Sequence, residues 1–479
     1  MAGFWSYWSL VKYLAPLAVT FIIQDVAEQA LARGLTSAEN STVVLASFGI
    51  GYNLLNAALW PIMEIKQVAL VLVQNRRDGL VTFGCLAGVY ASILLFSLLI
   101  GFTKVGYYVV DKLHSVEADI GITTKQFILY MCLYPLLDGT AWLLTGMLLR
   151  RKCSATVGSA SVADIFTQIG VVAGLLQTSL SFDRPILIPV IALYAGCLMR
   201  ICILVGGFCK FVSWKDEYST RRDEIRDRLS TRKVLGLWWP LALVRSTQGI
   251  SRPITNLFVA RSSEDEMAVK ELAVLTLVYP VGRVPWGWLN ELKTVVPAFL
   301  KEPEDSRNQA SQVTARNIRI FTVCCLAFAM TLSFVVLWIP TVLTSFLITV
   351  LNIQPWLAEL CIVPMRIFTF CAIPVTIRAY VTSWLLLYKQ TKFLAPSAML
   401  RVAVLILALK VLPFCGVHGA SQGIGALLAS FCGEVVTAVI GYLYVEHKRK
   451  KNGAEEEMIP MENVVDKDIH KTKMLQNEE

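Results

Sequence analysis

Stretches of about twenty apolar residues follow one another along this chain with little between them, and that is the length an α-helix needs to cross the hydrocarbon of a bilayer. Six centre on residues 9–31, 43–73, 79–102, 126–149, 157–180 and 186–211, and six more on 234–260, 268–299, 317–340, 358–388, 394–415 and 417–446. Composition agrees: 55% of the 479 residues are hydrophobic and 16% charged, against about a quarter charged in ordinary soluble domains. In lipid every backbone amide and carbonyl must be paired within the protein, so the pattern predicts an all-α membrane protein with about 12 transmembrane helices. The first helix runs on through Gln24, Asp25 and Glu28 and lacks the short core and cleavage site of a signal peptide, so it is expected to persist in the mature protein.

An even helix count puts both termini on one side. Arg76 and Arg77, Arg150 to Lys152, Lys389 and Lys392, and Lys448 to Lys451 fall in alternate loops, and the linker 212–233 adds Arg221, Arg222, Arg226, Arg228 and Arg232. The positive-inside rule assigns these loops, and both termini, to the cytosol. The net charge of +9 therefore reads as topology, and no nucleic-acid partner is expected. The first opposite loop carries Asn40-Ser41-Thr42, a glycosylation sequon usable only outside the cytosol. The tail 447–479 is acidic and without periodicity after Lys451, which predicts a disordered cytosolic segment.

The two sets of six lie over one another. Tyr13-Leu-Ala-Pro-Leu-Ala18 parallels Trp238-Trp-Pro-Leu-Ala242; superposing Pro16 on Pro240 sets Gln24 opposite Gln248 and Glu28 opposite Arg252. In the next helix of each set Leu45-Ala46 matches Leu272-Ala273, Tyr52 matches Tyr279, and Glu64-Ile-Lys66 matches Glu291-Leu-Lys293 without a gap. Pro135 and Pro374 mark a third pair. Because each set has an even number of helices the repeats run parallel, related by an axis along the membrane normal. The expected organisation is an N-terminal six-helix bundle (1–211), a basic linker (212–233) and a C-terminal six-helix bundle (234–446) around a central cavity. Bundles that rock about such a cavity expose it to each side in turn.

An ionisable side chain at the bilayer centre costs about 3 kcal/mol on insertion scales, so those present should face a partner or a wet cavity. Arg245, Gln248 and Arg252 share one face of helix seven, and Gln24, Asp25 and Glu28 occupy the corresponding stretch of helix one. Lys66 and Lys293 come from the repeated Glu-x-Lys. Arg283 lies among Pro280, Gly282, Pro285 and Gly287, where a helix must break, and Arg366 and Arg378 flank Pro374. These eleven are the candidate substrate-binding residues. Guanidinium groups clamp carboxylates and phosphates bidentately, so a basic cavity favours di- and tricarboxylates, pyrophosphate or nucleotides. The alternative is mutual neutralisation, with Glu28 on Arg252, Glu64 on a nearby base and Asp138 on Arg378. Arg150, Arg200 and Lys389 are set aside as snorkelling or topology residues. Trp238, Trp239, Trp286 and Trp288 read as interfacial or packing tryptophans.

Four scattered histidines give no metal site, and twelve cysteines without a CxxC pair read as reduced packing residues. No Walker loop, G-x-S-x-G elbow or H-E-x-x-H is present, so the chain is expected to be no enzyme and to need no cofactor.

At Glu28-Gln-Ala-Leu-Ala-Arg-Gly34, Trp238-Trp-Pro-Leu-Ala-Leu243, Ile250-Ser-Arg-Pro253, Tyr279-Pro-Val-Gly282, Ala395-Pro-Ser-Ala398 and Gly416-Val-His-Gly-Ala420 the sequence resembles the progressive ankylosis protein family. These are pyrophosphate transport regulators of the multidrug and polysaccharide exporter superfamily. The resemblance runs from helix one to helix twelve and implies a plasma-membrane exporter of ATP, citrate and related carboxylates. Exported ATP is then a source of the extracellular pyrophosphate that restrains mineralisation. Where this chain has Arg283 and Trp286 the family carries His and Tyr, which implies a divergent member or paralogue. The competing readings are a lipid-linked flippase and a regulator that transports nothing itself.

Overall fold

Proline and glycine decide where the apolar stretches run unbroken and where they bend. The computed structural model describes residues 2–35, 41–112, 118–180, 184–212, 229–262, 265–300, 313–350 and 354–457, and all regular structure among them is helical. The first half holds α1 (Ala2–Leu35), α2 (Ser41–Met63, resuming after Glu64 as Ile65–Leu72), α3 (Arg76–Phe102), α4 (Ala118–Tyr130 and Tyr134–Arg150), α5 (Ser154–Leu175) and α6 (Leu187–Phe211). The second holds α7 (Thr231–Ser262), α8 (Asp265–Arg283, a 3-10 stretch Gly287–Thr294, then Val295–Phe299), α9 (Ala315–Ser333), α10 (Pro355–Thr369 and Ala372–Leu387), α11 (Ala395–Val411) and α12 (Gly419–Glu457).

By length and composition nine helices among the described residues can span a bilayer, ten when α4, bent by 46° at its break, counts as one. The two of the expected twelve that fall short are α7 and α8. Arg245 and Arg252 lower the hydropathy of α7, and α8 is both charged and broken. The breaks in α4 and α10 each lie one turn before a proline, Pro135 and Pro374. A proline ring displaces the carbonyl four residues earlier and supplies no N–H to hold it.

The repeat read from sequence is also a repeat of packing. α1 lies on α5 as α7 lies on α11, α5 on α6 as α11 on α12, α2 on α4 as α8 on α10, and α4 on α6 as α10 on α12. Between the halves α1 meets the 3-10 stretch of α8, and its mate α7 meets α2. Lys152 after α4 and Lys389 after α10 both take the left-handed conformation, with φ of 61° and 56°, which costs a residue with a side chain roughly 1–2 kcal/mol. Two buried stretches seal the halves together: Leu10, Tyr13 and Leu14 of α1 join the core that holds Trp288, Leu289 and Leu292 of α8.

The last helix runs on to Glu457, past the expected start of the disordered tail at 447. Arg449 stacks on Tyr388 at 4.1 Å and Lys450 pairs with Glu446 at 3.1 Å, so the helix still has partners there. Residues 458–479, the acceptor Asn40 and most of the linker lie outside the described residues.

Candidate substrate cavity

Polar residues at helical spacing on α7 face the gap between the halves, and two cavities open there. The larger has a volume of about 350 Å³ and the smaller about 70 Å³. On α2 the larger is lined by Asn53, Asn56 and Trp60 and the smaller by Glu64 and Lys66; on α8 the larger takes Tyr279, Arg283 and Trp286 and the smaller Glu291 and Lys293. Both helices run toward the end of the bundle at which α1 begins and α12 ends. The small cavity therefore lies nearer that end. Arg245 and Gln248, midway along α7, line both.

Crossed ion pairs fill the wall of the small cavity. Lys66 Nζ donates to both carboxylate oxygens of Glu291 at 2.9 and 2.8 Å, and Lys293 Nζ to both of Glu64 at 2.7 and 3.0 Å. Each half gives its Glu-x-Lys lysine to the other half's glutamate, a reciprocal contact that only a two-fold relation produces. A straight helix would carry i and i+2 side chains away from one another. Both motifs sit where the helix fails, at the break after Met63 and in the 3-10 stretch of α8, so both charges can meet the partner.

The larger cavity is walled by two triads of opposite polarity. In the first half Arg200 of α6 pairs with Asp138 of α4 at 3.1 Å, Trp142 Nε1 donates to the same carboxylate at 3.0 Å, and Asp164 of α5 stands beside them, held by Gln168. In the second half Glu434 of α12, fully buried, accepts from Arg378 of α10 at 3.2 Å, from Arg401 of α11 at 2.5 Å and from Gln248 at 3.2 Å. Asp164 and Arg401 each stand twelve residues beyond a left-handed lysine, Lys152 and Lys389. The same three helices of each half thus hold two acids around a base on one side and two bases around an acid on the other. Arg200 stacks on Trp142 at 4.1 Å and Arg401 on Phe431 at 4.2 Å.

The sequence pattern of the progressive ankylosis protein (ANKH) family matches residues 1–339. The chain belongs to that family. Its fold is that of solved transporters of the MOP superfamily. A Pyrococcus furiosus MOP transporter described by the reverse polarity of its binding pocket superposes with a TM-score of 0.63 at 14% identity, over 92% of this chain and 96% of that one. The eukaryotic MATE transporter AtDTX14 gives 0.66 at 12% identity over 93% and 96%, and a Vibrio cholerae MATE transporter, VcmN, 0.66 at 11% over 94% and 98%. Family, fold and apolar helices make this ANKH chain a multi-pass membrane protein with the fold of those transporters.

Of the candidate residues, Arg245, Gln248, Arg252, Arg283 and Arg378 line the large cavity of the ANKH chain. Arg252 lies over the Tyr279 ring at 5.1 Å and Arg283 over Phe21 at 4.8 Å. Arg245 makes no hydrogen bond or ion pair among the described residues. Lys66 and Lys293 line only the small cavity and are held by glutamates. The backbone of Gln24, Asp25 and Glu28 belongs to α1, but their side chains lie outside the described ones. Arg366 lines neither cavity; its guanidinium sits over Trp338 at 5.5 Å. One turn before the α10 break, it points into the helices of its own half.

One expected pairing and one assignment are corrected. Asp138 binds Arg200, not Arg378, because Arg200 stands beside it within the same half while Arg378 is held by Glu434 in the other. Arg200, set aside as a topology residue, is 4% exposed in that pair. Trp238 donates to the Pro61 carbonyl across the halves at 2.8 Å, while Trp286 is a wall of the large cavity. Glu434 and Asp164 were missed. Each is a lone acid inside an apolar stretch, which is itself the signal of a buried partner.

Proposed function

We propose that this chain exports polyanionic metabolites across the plasma membrane: ATP and other nucleoside triphosphates, citrate and related carboxylates. Exported nucleotide would supply extracellular pyrophosphate and restrain mineralisation. Alternating access of the large cavity carries the transport. Both termini then lie in the cytosol, in keeping with the basic loops on their side.

The observation that carries the reading is the Arg245 guanidinium, which opens on both cavities and makes no hydrogen bond or ion pair among the described residues. Eight basic and four acidic side chains line the two cavities, and Glu434 adds a fifth acid from behind. Among these described residues the bases outnumber the acids by eight to five. A donor left without an acceptor in a low-dielectric site costs about 1–3 kcal/mol, which an incoming oxyanion would recover. A volume of about 350 Å³ is near the lower end of the range of about 300–1,000 Å³ for ligand sites. Citrate and pyrophosphate suit the cavity as it stands, and a nucleotide needs the halves to part.

Purified protein in liposomes, offered ATP, pyrophosphate, citrate and a cationic drug, tests the proposal. The three anions should be taken up and the drug not. Arg245→Ala should reduce anion flux by about ten- to hundred-fold, as expected for one charge-assisted contact of 1.5–3 kcal/mol. Uptake no faster than in empty liposomes would leave a regulator without transport, and uptake of the drug alone would reverse the sign of the cavity.

A further inference from the structure

The crossed lysine–glutamate pairs do more than neutralise one another. Their four side chains are 7–19% exposed, and they lie between the large cavity and the end of the bundle that holds the termini. The same level carries other contacts between halves: Trp238 on the Pro61 carbonyl, and Phe299 of α8 against Tyr13 at 5.3 Å and Lys152 at 4.6 Å. The α-helix breaks at Glu64, and the second motif lies in a 3-10 stretch. A rotation there breaks few helical hydrogen bonds, which is where a hinge belongs.

We propose that Lys66–Glu291 and Lys293–Glu64 form the gate on the terminus side, and that the two lysines exchange their glutamates for the transported anion when it opens. This rests on the anion reading given above for the choice of ligand, but not for the gate. Closed, each lysine is quenched by the other half's carboxylate, and the path is sealed. Parting the halves strips four charges of their partners at a depth where none is tolerated alone. An oxyanion arriving from the terminus side supplies the acceptors that the lysines lose. The anion and the closed gate therefore compete for the same two ammonium groups, and ligand entry is coupled to opening without a separate sensor. On closure the glutamates reclaim the lysines and leave the anion to Arg245 and the large cavity.

Two paired variants separate gate from ligand. Met63→Cys places a thiol on the wall of the small cavity, and its labelling by a small, membrane-impermeant methanethiosulfonate in inside-out vesicles is read at that residue by mass spectrometry. Glu64→Gln with Glu291→Gln, and separately Lys66→Gln with Lys293→Gln, should each raise the labelling rate by about ten-fold. Citrate uptake from that side should then divide them: half-saturation falls when the lysines are freed and rises by about ten-fold when they are removed. A purely structural role would move both variants the same way. Lys293→Glu should open the gate and added Glu64→Lys close it again, a test that survives if a glutamine pair misfolds. Wild-type labelling in every variant overturns the gate whether or not anions are carried. Altered labelling without citrate uptake in any variant leaves the gate standing and overturns its exchange for the anion.

Discussion

Glu434 shows how much one side chain can hold. It is fully buried, and Arg378, Arg401 and Gln248 all donate to its two oxygens. Removing its charge strands two guanidinium groups, and breaking a buried pair in this way costs about 3–5 kcal/mol. Glu434→Gln should therefore lower unfolding stability by about that amount in detergent, measured by denaturant titration or as a large fall in Tm. Asp164→Asn, which leaves Arg200 its pair with Asp138, should shift it far less; equal losses would deny Glu434 its central place. In the sequence Glu434 is visible as an acid where none belongs. Its partners stand 33 and 56 residues away on other helices, and no local spacing pairs them.

The breaks decide what the helices can do. An unbroken α2 would set Glu64 and Lys66 on opposite faces, whereas the short segment Ile65–Leu72 turns Lys66 toward α8. That segment lies flat on α4 because Gly146 has no side chain: a Cβ there would strike the Lys66 carbonyl and the Ala69 methyl. Gly146→Val should cost about 1–3 kcal/mol by overpacking and displace Lys66 from Glu291. Thermal stability should fall and anion flux with it; a variant with normal flux would show that the segment has room to move. Pro135, Pro374 and the cluster in α8 make the breaks foreseeable. The break at Glu64 has no such mark, since Pro61 lies before it rather than one turn after.

At the scale of the molecule the halves are self-contained and touch along one seam. Each packs its six helices in the same pattern, and each answers most of its buried charges internally. Fragments 1–220 and 221–479 expressed together should accordingly assemble and restore transport, measured by co-purification and liposome flux. Failure to co-purify would mean that the chain connection, rather than the seam, joins the bundles. Opposite polarity of the two triads gives the large cavity an acidic and a basic wall. Two-fold packing with inverted charge is compatible with one ancestral bundle because apolar periodicity fixes the helix contacts, while a buried position needs only some partner of opposite sign.

Hydropathy and repetition determined the helix count, the two bundles and the faces of α7 and α8 that carry charge, because an apolar stretch of twenty residues satisfies its own backbone in lipid only as a helix and an ionisable group there cannot be incidental. The matched Glu-x-Lys motifs even marked the seam. What only the tertiary structure decided is who neutralises whom: Asp138 with Arg200, Arg378 and Arg401 with Glu434, and the lysines crosswise between halves. Pairing at that level depends on helix rotation and on distances between helices remote in the chain, and Coulomb energy in a low dielectric falls off with those distances rather than with sequence separation.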